Sequence, residues 1–260
     1  MSNSLISFTA VKTHADNKDL KQDADGYYYV TLGAFNCFNS SGSFYLKDGV
    51  EDLVKNKSYN LARRLEKSQL YGEMQHPVYQ PGMSKSDFFI RNLKIDMDHI
   101  SHHIKSIEFK EIDTPSGVPG KGKVLKVMGW IKPAGEKGAL LKQALDNKEQ
   151  NVAFSIRCLT DDSVVHGTEF RKVVQIITWD WVVEPGISVA TTWNTLATEE
   201  RLLLESADDL RISVEELQLN SDFLRETGLK VESADQTMMI REISERVGAM
   251  SNPNDFINNW

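Results

Sequence analysis

Alternation of apolar and polar residues predicts mainly β-strands between about residues 20 and 195. The clearest case is 151–158, NVAFSIRC, in which every second residue from Val152 onward is apolar. Residues 173–183, VVQIITWDWVV, form a longer apolar run that ends at a Glu-Pro-Gly stop. Strand-like composition, with many aromatic and β-branched residues between turn residues, recurs in three more segments: 27–46, 88–112 and 124–131.

Helices are predicted at the sides of this β region and after it. Residues 50–69 lack Gly and Pro and are rich in helix formers, and 136–147 is a shorter segment of the same kind. Beyond about residue 196 the chain is acidic and carries two capping boxes, Ser213-Val-Glu-Glu216 and Ser233-Ala-Asp-Gln236. We therefore predict an α+β protein, mainly β with flanking helices, in which a β domain (1–196) precedes an acidic helical tail (197–260).

The strand around Ser155 carries the first candidate chemistry. With a period of two, its apolar residues share one face, whereas Ser155 and Arg157 lie side by side on the other. A serine attacks a carbonyl when a base takes its proton, and the developing oxyanion needs positive donors. The pair therefore suits acyl transfer. A solvent-facing Ser and Arg on a half-buried strand would produce the same pattern.

An aspartate and a histidine elsewhere in the chain could complete such a site. Asp180 interrupts an apolar run between two tryptophans, and a buried carboxylate needs a partner, which can be a histidine ring or backbone amides at the strand end. His76 precedes Pro77, which favours an extended conformation. Histidine suits a general base because it titrates near neutral pH, but a loop histidine can also be structural or solvated.

Composition excludes several classes of protein. The chain has 260 residues, 40% hydrophobic and 26% charged, which is typical of a soluble globular protein and unlike collagen-like, disordered or membrane-embedded chains. Its 37 acidic and 30 basic residues give a net charge of −7. General nucleic-acid binding is not expected, because that affinity comes from basic side chains on phosphates. Two cysteines, Cys37 and Cys158, are too few for a disulfide framework and indicate a reducing compartment.

The sequence has no segment typical of a secretory signal or of a membrane span. Residues 1–18 lack the basic start and the apolar stretch of a secretory signal. No apolar run reaches the roughly 18 residues that a membrane span requires. We therefore expect a cytosolic protein without a membrane partner.

Three short segments together resemble the prohead (procapsid maturation) serine proteases of tailed bacteriophages. The segments are YGEMQHP at 71–77, FSIR at 154–157 and WDWVVEP at 179–185. The family carries a Gly-Glu-x-x-His-Pro motif with the catalytic histidine, a Ser-x-Arg strand with the nucleophile, and a later Asp before an x-Pro stop. The order and the intervals fit, and the resemblance spans about residues 70–190.

The resemblance implies a β-barrel serine endopeptidase, related in fold to the herpesvirus assembly proteases. Ser155 would be the nucleophile, His76 the general base and Asp180 the residue that orients it. The herpesvirus enzymes use a second histidine in that role, which leaves the third member open between Asp180 and its alternative, Glu73. Arg157, with backbone amides near Ser155, would stabilise the oxyanion. No metal or organic cofactor is implied.

The resemblance also implies substrates and a location. The protein partners would be scaffold or core proteins and the major capsid protein, cleaved after glutamate inside the immature head in the host bacterial cytoplasm. A homo-oligomer is compatible with this role. The tail would be removed or would dock on scaffold, and self-processing is predicted after Glu205 in Leu203-Leu-Glu205, where an aliphatic residue stands two positions before glutamate.

Two other functions remain open on the sequence. A non-enzymatic β-barrel component of the head core or tail tube would share the architecture but have no use for a triad. A metal-dependent hydrolase could use three histidines and two aspartates, although strand geometry would place His102 opposite the other two histidines. The residues of that cluster are Asp96, Asp98, His99, His102 and His103.

Overall fold

A computed structural model describes residues 3–13, 20–39, 42–113, 123–148, 150, 152–182 and 211–213. Its elements, in chain order, are ten strands, four helices and a 3₁₀ turn at Met97–His99. The strands are β1 (Asn3–Thr13), β2 (Tyr28–Phe35), β3 (Cys37–Phe38), β4 (Phe44–Leu46), β5 (Tyr71–Glu73), β6 (Ile100–Asp113), β7 (Lys123–Pro133), β8 (Val152–Val165), β9 (Thr168–Val182) and β10 (Arg211–Ser213). The helices are α1 (Val50–Lys55), α2 (Asn60–Glu66), α3 (Lys85–Leu93) and α4 (Gly138–Asp146).

The strands form two sheets that share one hydrophobic core. The first sheet has the order β10-β1-β8-β9-β4-β3 and the second β2-β7-β6-β5. Apolar residues of both sheets and of α1, α2 and α4 belong to a single buried cluster, because alternate residues of each strand face inward. Its members include Phe154, Ile156, Trp179, Leu32, Val127, Ile131, Leu53, Leu61 and Leu141. The prediction of a mainly β protein with flanking helices is confirmed.

The predicted closed barrel is wrong for the part of the chain that the structure describes. In the described residues, the backbone pairing between the β5 edge of the second sheet and β9 of the first is limited to an isolated bridge between Met74 and Trp181. The contact ends there because Gln75 adopts a left-handed backbone conformation, with φ of 68°, and Pro77 has no N–H to continue a ladder. Over the described residues, the two sheets pack on a shared core without forming one continuous hydrogen-bonded barrel.

Two segments differ from the elements predicted for them. The single helix expected over 50–69 is divided into α1 and α2, because the Asn56 side chain accepts the Ser58 N–H at 3.0 Å and turns the chain. Within 88–112, the first residues belong to helix α3 rather than to a strand. Ser84 and Asp87 form a capping box that begins this helix.

The ends of the chain bear on the predicted domain boundary. β1 pairs with β8 along its whole length, so the β region starts well before residue 20. Residues 211–213, predicted to belong to the helical tail, form β10 and pair with β1. The rest of the predicted tail, with its capping boxes and Glu205, lies outside the described residues. No helix in the described ranges is long and apolar enough to cross a membrane.

Candidate active site

The site is built on the polar face of the β8–β9 pair. Ser155 and Asp180 are direct partners in this antiparallel ladder, and Arg157 pairs with Thr178 two residues along. Side chains that face each other in such a ladder lie on the same side of the sheet, within about 5.5 Å. The predicted alternation is confirmed, since the other face contributes Val152, Phe154, Ile156 and Cys158 to the core. The polar face is also buried, with Ser155 only 2% exposed.

His76 reaches this face from the turn that follows β5. The backbone N–H of Gln75 donates to the carbonyl of Trp181 at 2.7 Å, and the Thr178 hydroxyl donates to the Tyr71 carbonyl at 2.6 Å. These two bonds hold the segment along β9. The left-handed conformation of Gln75 is uncommon for a residue with a side chain, and it directs the chain so that His76 meets Asp180.

The His76 ring and the Asp180 carboxylate are hydrogen-bonded, with Nδ1 at 2.8 Å from Oδ2. Because an ionised carboxylate only accepts hydrogen bonds, Nδ1 carries the proton and donates it. Nε2 is then the nitrogen that can accept a proton from a nucleophile. The His76 side chain is 11% exposed, whereas that of Asp180 is fully buried.

Asp180 is held as an anion by four donors. Besides His76, its carboxylate accepts the Glu73 backbone N–H at 2.9 Å and two N–H groups of Arg157 at 2.8 Å each. Burial on its own would raise the pKa of Asp180, but the charge of Arg157 and the hydrogen bond from His76 outweigh it. The pKa is therefore lowered, and the carboxylate is ionised at neutral pH.

Arg157 is a fully buried clamp. It donates to Asp180 through Nε and Nη2, and Nη1 reaches the carbonyl of Lys94 at 3.0 Å. Nη2 also lies 3.2 Å from the Glu73 carboxylate. Burial alone would lower the pKa of this guanidinium, but the two carboxylates raise it. These contacts point to orientation of Asp180, and the oxyanion role expected for Arg157 stays a prediction.

Glu73 has different partners from those of a third triad member. Its carboxylate pairs with Arg91 through two bonds of 3.1 and 2.7 Å and accepts the Asp96 N–H at 2.7 Å. The carboxylate hydrogen-bonded to His76 is that of Asp180. The His76 ring is therefore bonded to Asp180, and Glu73 is linked to Asp180 through Arg157.

Comparison with known proteins gives this geometry its context. The model of the Peptidase S80 family matches residues 6–243. The chain belongs to the Peptidase S80 family. Membership makes it a serine peptidase, and the resemblance to the phage procapsid maturation proteases is confirmed.

Two relatives illustrate the match. The chain is 34% identical to the capsid maturation protease of Pseudomonas phage phiKZ over 199 residues, which are 74% of this chain and 71% of that protein. The solved structure of the bacteriophage T4 capsid assembly protease is similar with a TM-score of 0.46 at 15% identity, covering 70% of this chain and 99% of that one.

The histidines near residue 100 are dispersed in this S80 peptidase. The rings of His99, His102 and His103 contact Asp96, Ser101 and Tyr27 respectively. His99 lies in the 3₁₀ turn before β6, and β6 sends the side chains of His102 and His103 to opposite faces. The described residues contain no group of three or more His, Cys, Asp and Glu side chains placed to hold a metal ion.

Gly72 of the Gly-Glu-x-x-His-Pro motif allows a close approach between three strands. A Cβ built on it would lie 2.1 Å from the Trp179 carbonyl oxygen and 2.3 Å from the ring of His102. His102 is fully buried there, and burial lowers its pKa to about 4 although the charge of Asp180 opposes the shift. The glycine is therefore a steric requirement for bringing β5, and with it His76, against β9.

Sequence reasoning missed the contribution of α3. Arg91, at the end of this helix, binds Glu73, and the carbonyls of Asn92 and Lys94 accept from Arg157. Carbonyls at a helix C-terminus carry partial negative charge and favour a nearby cation. The Ser84-x-x-Asp87 capping box was the available sign of the helix, but no local pattern indicated that its end would cover Arg157.

Proposed function

We propose that this peptidase is the head-maturation endopeptidase of a tailed phage, with Ser155 as nucleophile. The observation that carries the proposal is the position of Asp180, which is hydrogen-bonded to His76 and directly opposite Ser155 in the β8–β9 ladder. Membership of a serine peptidase family supports this use of the hydroxyl. His76 thus binds the Asp180 carboxylate from a loop, and Ser155 lies opposite Asp180 on the neighbouring strand.

The chemistry follows from the hydrogen bonds around the ring. Asp180 fixes the tautomer in which Nδ1 is protonated, so that Nε2 can take the Ser155 proton as Oγ attacks the scissile carbonyl. His76 then returns this proton to the leaving amine, and a water molecule attacks the acyl-enzyme in the second half of the cycle. Asp180 remains an anion and stabilises the imidazolium at each stage.

The substrates are proposed from the relatives. Proteins similar to this chain are described as a capsid maturation protease and a capsid assembly protease. We therefore assign scaffold or core proteins and the major capsid protein as substrates, cleaved after glutamate inside the immature head in the infected host cell. The part of the acidic segment 197–260 that follows Glu205 is proposed as a piece that the enzyme removes from itself.

The structural alternative, a non-enzymatic component of the head core or tail tube, has no comparable support. It would give no reason for a buried histidine–carboxylate pair beside a serine. Each additional buried charge requires its own partners to offset desolvation, and a tube or core protein gains nothing from that arrangement.

The test is proteolysis of a purified scaffold protein by single and double variants. Ser155→Ala and His76→Ala should each abolish cleavage, and the double variant should lose little more, because triad members act as a unit. Ser163→Ala is the matched control, since Ser163 lies on the same strand β8 away from Asp180. Cleavage by Ser155→Ala at near wild-type rate would refute the assignment.

A further inference from the structure

Four charged side chains extend away from His76 with alternating sign. Asp180 contacts the ring, Arg157 binds Asp180, Glu73 lies 3.2 Å from Arg157, and Arg91 binds Glu73. The motifs of the sequence contain Asp180, Arg157 and Glu73, but they do not predict that the charges alternate in sign along the contacts. Because Asp180 and Glu73 share Arg157, the two carboxylates belong to one charged cluster.

The four charged side chains differ in their exposure to water. Asp180, Arg157 and Glu73 have side chains no more than 1% exposed, whereas that of Arg91 is 22% exposed. Water screens the charge of Arg91 more than the other three. The fully buried part therefore has two carboxylates and one guanidinium, with a net charge of −1 next to His76.

Glu73 offsets a cost of the Arg157 clamp. A guanidinium in bidentate contact orients Asp180 firmly, but its positive charge also cancels the negative charge that should stabilise the imidazolium. A second buried carboxylate on the same guanidinium restores that negative charge without displacing Asp180. Its backbone helps as well, since the Glu73 N–H donates to Asp180.

We propose that Glu73 is a positioning residue of the catalytic pair, which supports His76 through Arg157 by keeping the buried cluster negatively charged. The inference rests on the proposed function, since it assumes that His76 acts as the base. The Glu73 carboxylate binds Arg157 and Arg91, so its effect on the ring passes through Arg157. Arg91 limits its effect from the solvent side, so the two residues have opposite influences on His76.

Other ionisable groups surround the same region and stay constant in the experiment below. They lie on β6, in the 3₁₀ turn and on the loop before it, and one of them, Asp96, contacts both His99 and Arg91. These groups are Asp96, His99, His102 and His103.

The test compares the pH dependence of kcat/KM in wild type and Glu73→Gln. Loss of a buried negative charge makes the imidazolium less favourable, so the acid limb of the profile should move to lower pH by roughly one unit. The plateau should fall about tenfold, because the imidazolium of the transition state loses the same support. A lower plateau with an unmoved acid limb would show a merely structural role and overturn the proposal.

Arg91→Gln provides a test of sign. Removal of a positive charge from Glu73 should move the acid limb to higher pH, and by less than in Glu73→Gln because Arg91 is partly solvated. General loosening of the site would shift both variants in the same direction. If Glu73→Gln fails to fold, Arg91→Gln is sufficient as a test, because an acid limb that stays in place or moves to lower pH in this variant overturns the proposal.

Glu169→Gln is the matched control. Glu169 is also a shielded acid bound to a buried guanidinium, that of Arg171, but it lies 11 residues from Asp180 on β9, or about 35 Å along the strand. It should leave the acid limb in place. A comparable shift in this variant would contradict a specific role for Glu73.

Titration of the His76 ring by NMR separates this proposal from the proposed function. The ring nitrogens are followed against pH in Ser155→Ala, with and without Glu73→Gln, so no activity is needed. A midpoint that falls with Glu73→Gln supports the electrostatic role even if Ser155→Ala were to retain cleavage, which would refute the function only. An unchanged midpoint overturns the role of Glu73 and leaves the function standing.

Discussion

Arg157 holds Asp180 by two parallel hydrogen bonds, from Nε to Oδ2 and from Nη2 to Oδ1, each 2.8 Å long. Such a fork fixes the plane of the carboxylate as well as its position. Both side chains are fully buried, so water cannot replace a lost partner. The direction in which Asp180 meets the His76 ring is therefore set by Arg157.

Arg157→Lys should lower both stability and activity. A lysine keeps the charge but cannot form the fork, and a disrupted buried pair costs about 3 kcal/mol of unfolding free energy. Misplacement of Asp180 should reduce kcat/KM about 100-fold. Urea unfolding and kinetics on the folded fraction measure the two effects.

Arg171→Lys is the control for this variant, because Arg171 has a comparable pair with Glu169 far along β9. It should lose stability but keep its activity per folded molecule. Should Arg157→Lys lose activity with unchanged stability, the clamp would be the wrong explanation and the predicted oxyanion role would be favoured.

Asp180→Asn should be severely impaired in catalysis. Both carboxylate oxygens of Asp180 accept hydrogen bonds, whereas the amide nitrogen of an asparagine can only donate. The amide therefore loses a bond to Arg157 or to His76, and it favours the wrong tautomer of the ring. We expect a loss in kcat on the order of 10⁴-fold, as in other triads with this change. The kinetics should be measured together with the thermal unfolding midpoint of the variant, and Asp161→Asn on β8 serves as the control. Near wild-type activity would remove Asp180 from the mechanism.

The local pattern around Ser155 predicted the site's face correctly, for a clear physical reason. A strand in the middle of a sheet has two faces, and the apolar one must enter the core, so period-two spacing places Ser155 and Arg157 together on the other. The same reasoning could not predict that the polar face is buried. Its cover consists of the turn at His76 and the end of α3, and neither contact is encoded near residue 155.

The role of Arg157 was obscured for the same reason. Apart from Asp180, its partners are Glu73 and the carbonyls of Asn92 and Lys94, which lie more than 60 residues away in the chain. An exposed guanidinium beside a serine suggests anion binding, whereas a buried one between two carboxylates orients them. The choice depends on burial, which a single strand does not determine.

Gly72→Ala should destabilise the fold and reduce activity. The added methyl group would lie 2.1 Å from a backbone oxygen of β9, which cannot be relieved by a rotamer change. Overpacking of this kind costs about 1–3 kcal/mol, and β5 should move away from β9 with His76. Gly138→Ala is the comparison, since its nearest contact is 3.2 Å. Equal unfolding midpoints for the two variants would contradict the steric role of Gly72.

Stability should decline between pH 6.5 and 4 because of His102. Its folded pKa is lowered to about 4, so in this range the unfolded chain binds a proton that the folded protein excludes. The contribution is complete above the unfolded pKa and is lost as pH falls. We expect about 2 kcal/mol less unfolding free energy at pH 5 than at pH 7 from this residue.

The measurement is urea unfolding at both pH values in wild type and in His102→Asn, which retains a polar side chain for Ser101. The variant should show a smaller difference between the two pH values. His99→Asn, at a half-exposed position, should show the wild-type difference. Identical differences in wild type and His102→Asn would exclude His102 as the source.

Self-processing after Glu205 should release residues 206–260, the segment that contains β10. Cleavage requires an extended substrate, and an exposed connector supplies one more readily than a folded helix. Among the described residues of the released segment, β10 pairs with β1 at three positions. Intact-mass analysis of wild type, Ser155→Ala and Glu205→Gln after long incubation gives the answer. Both variants should remain full length, and a wild-type chain that also remains full length while it cleaves scaffold would exclude self-processing but not the protease function.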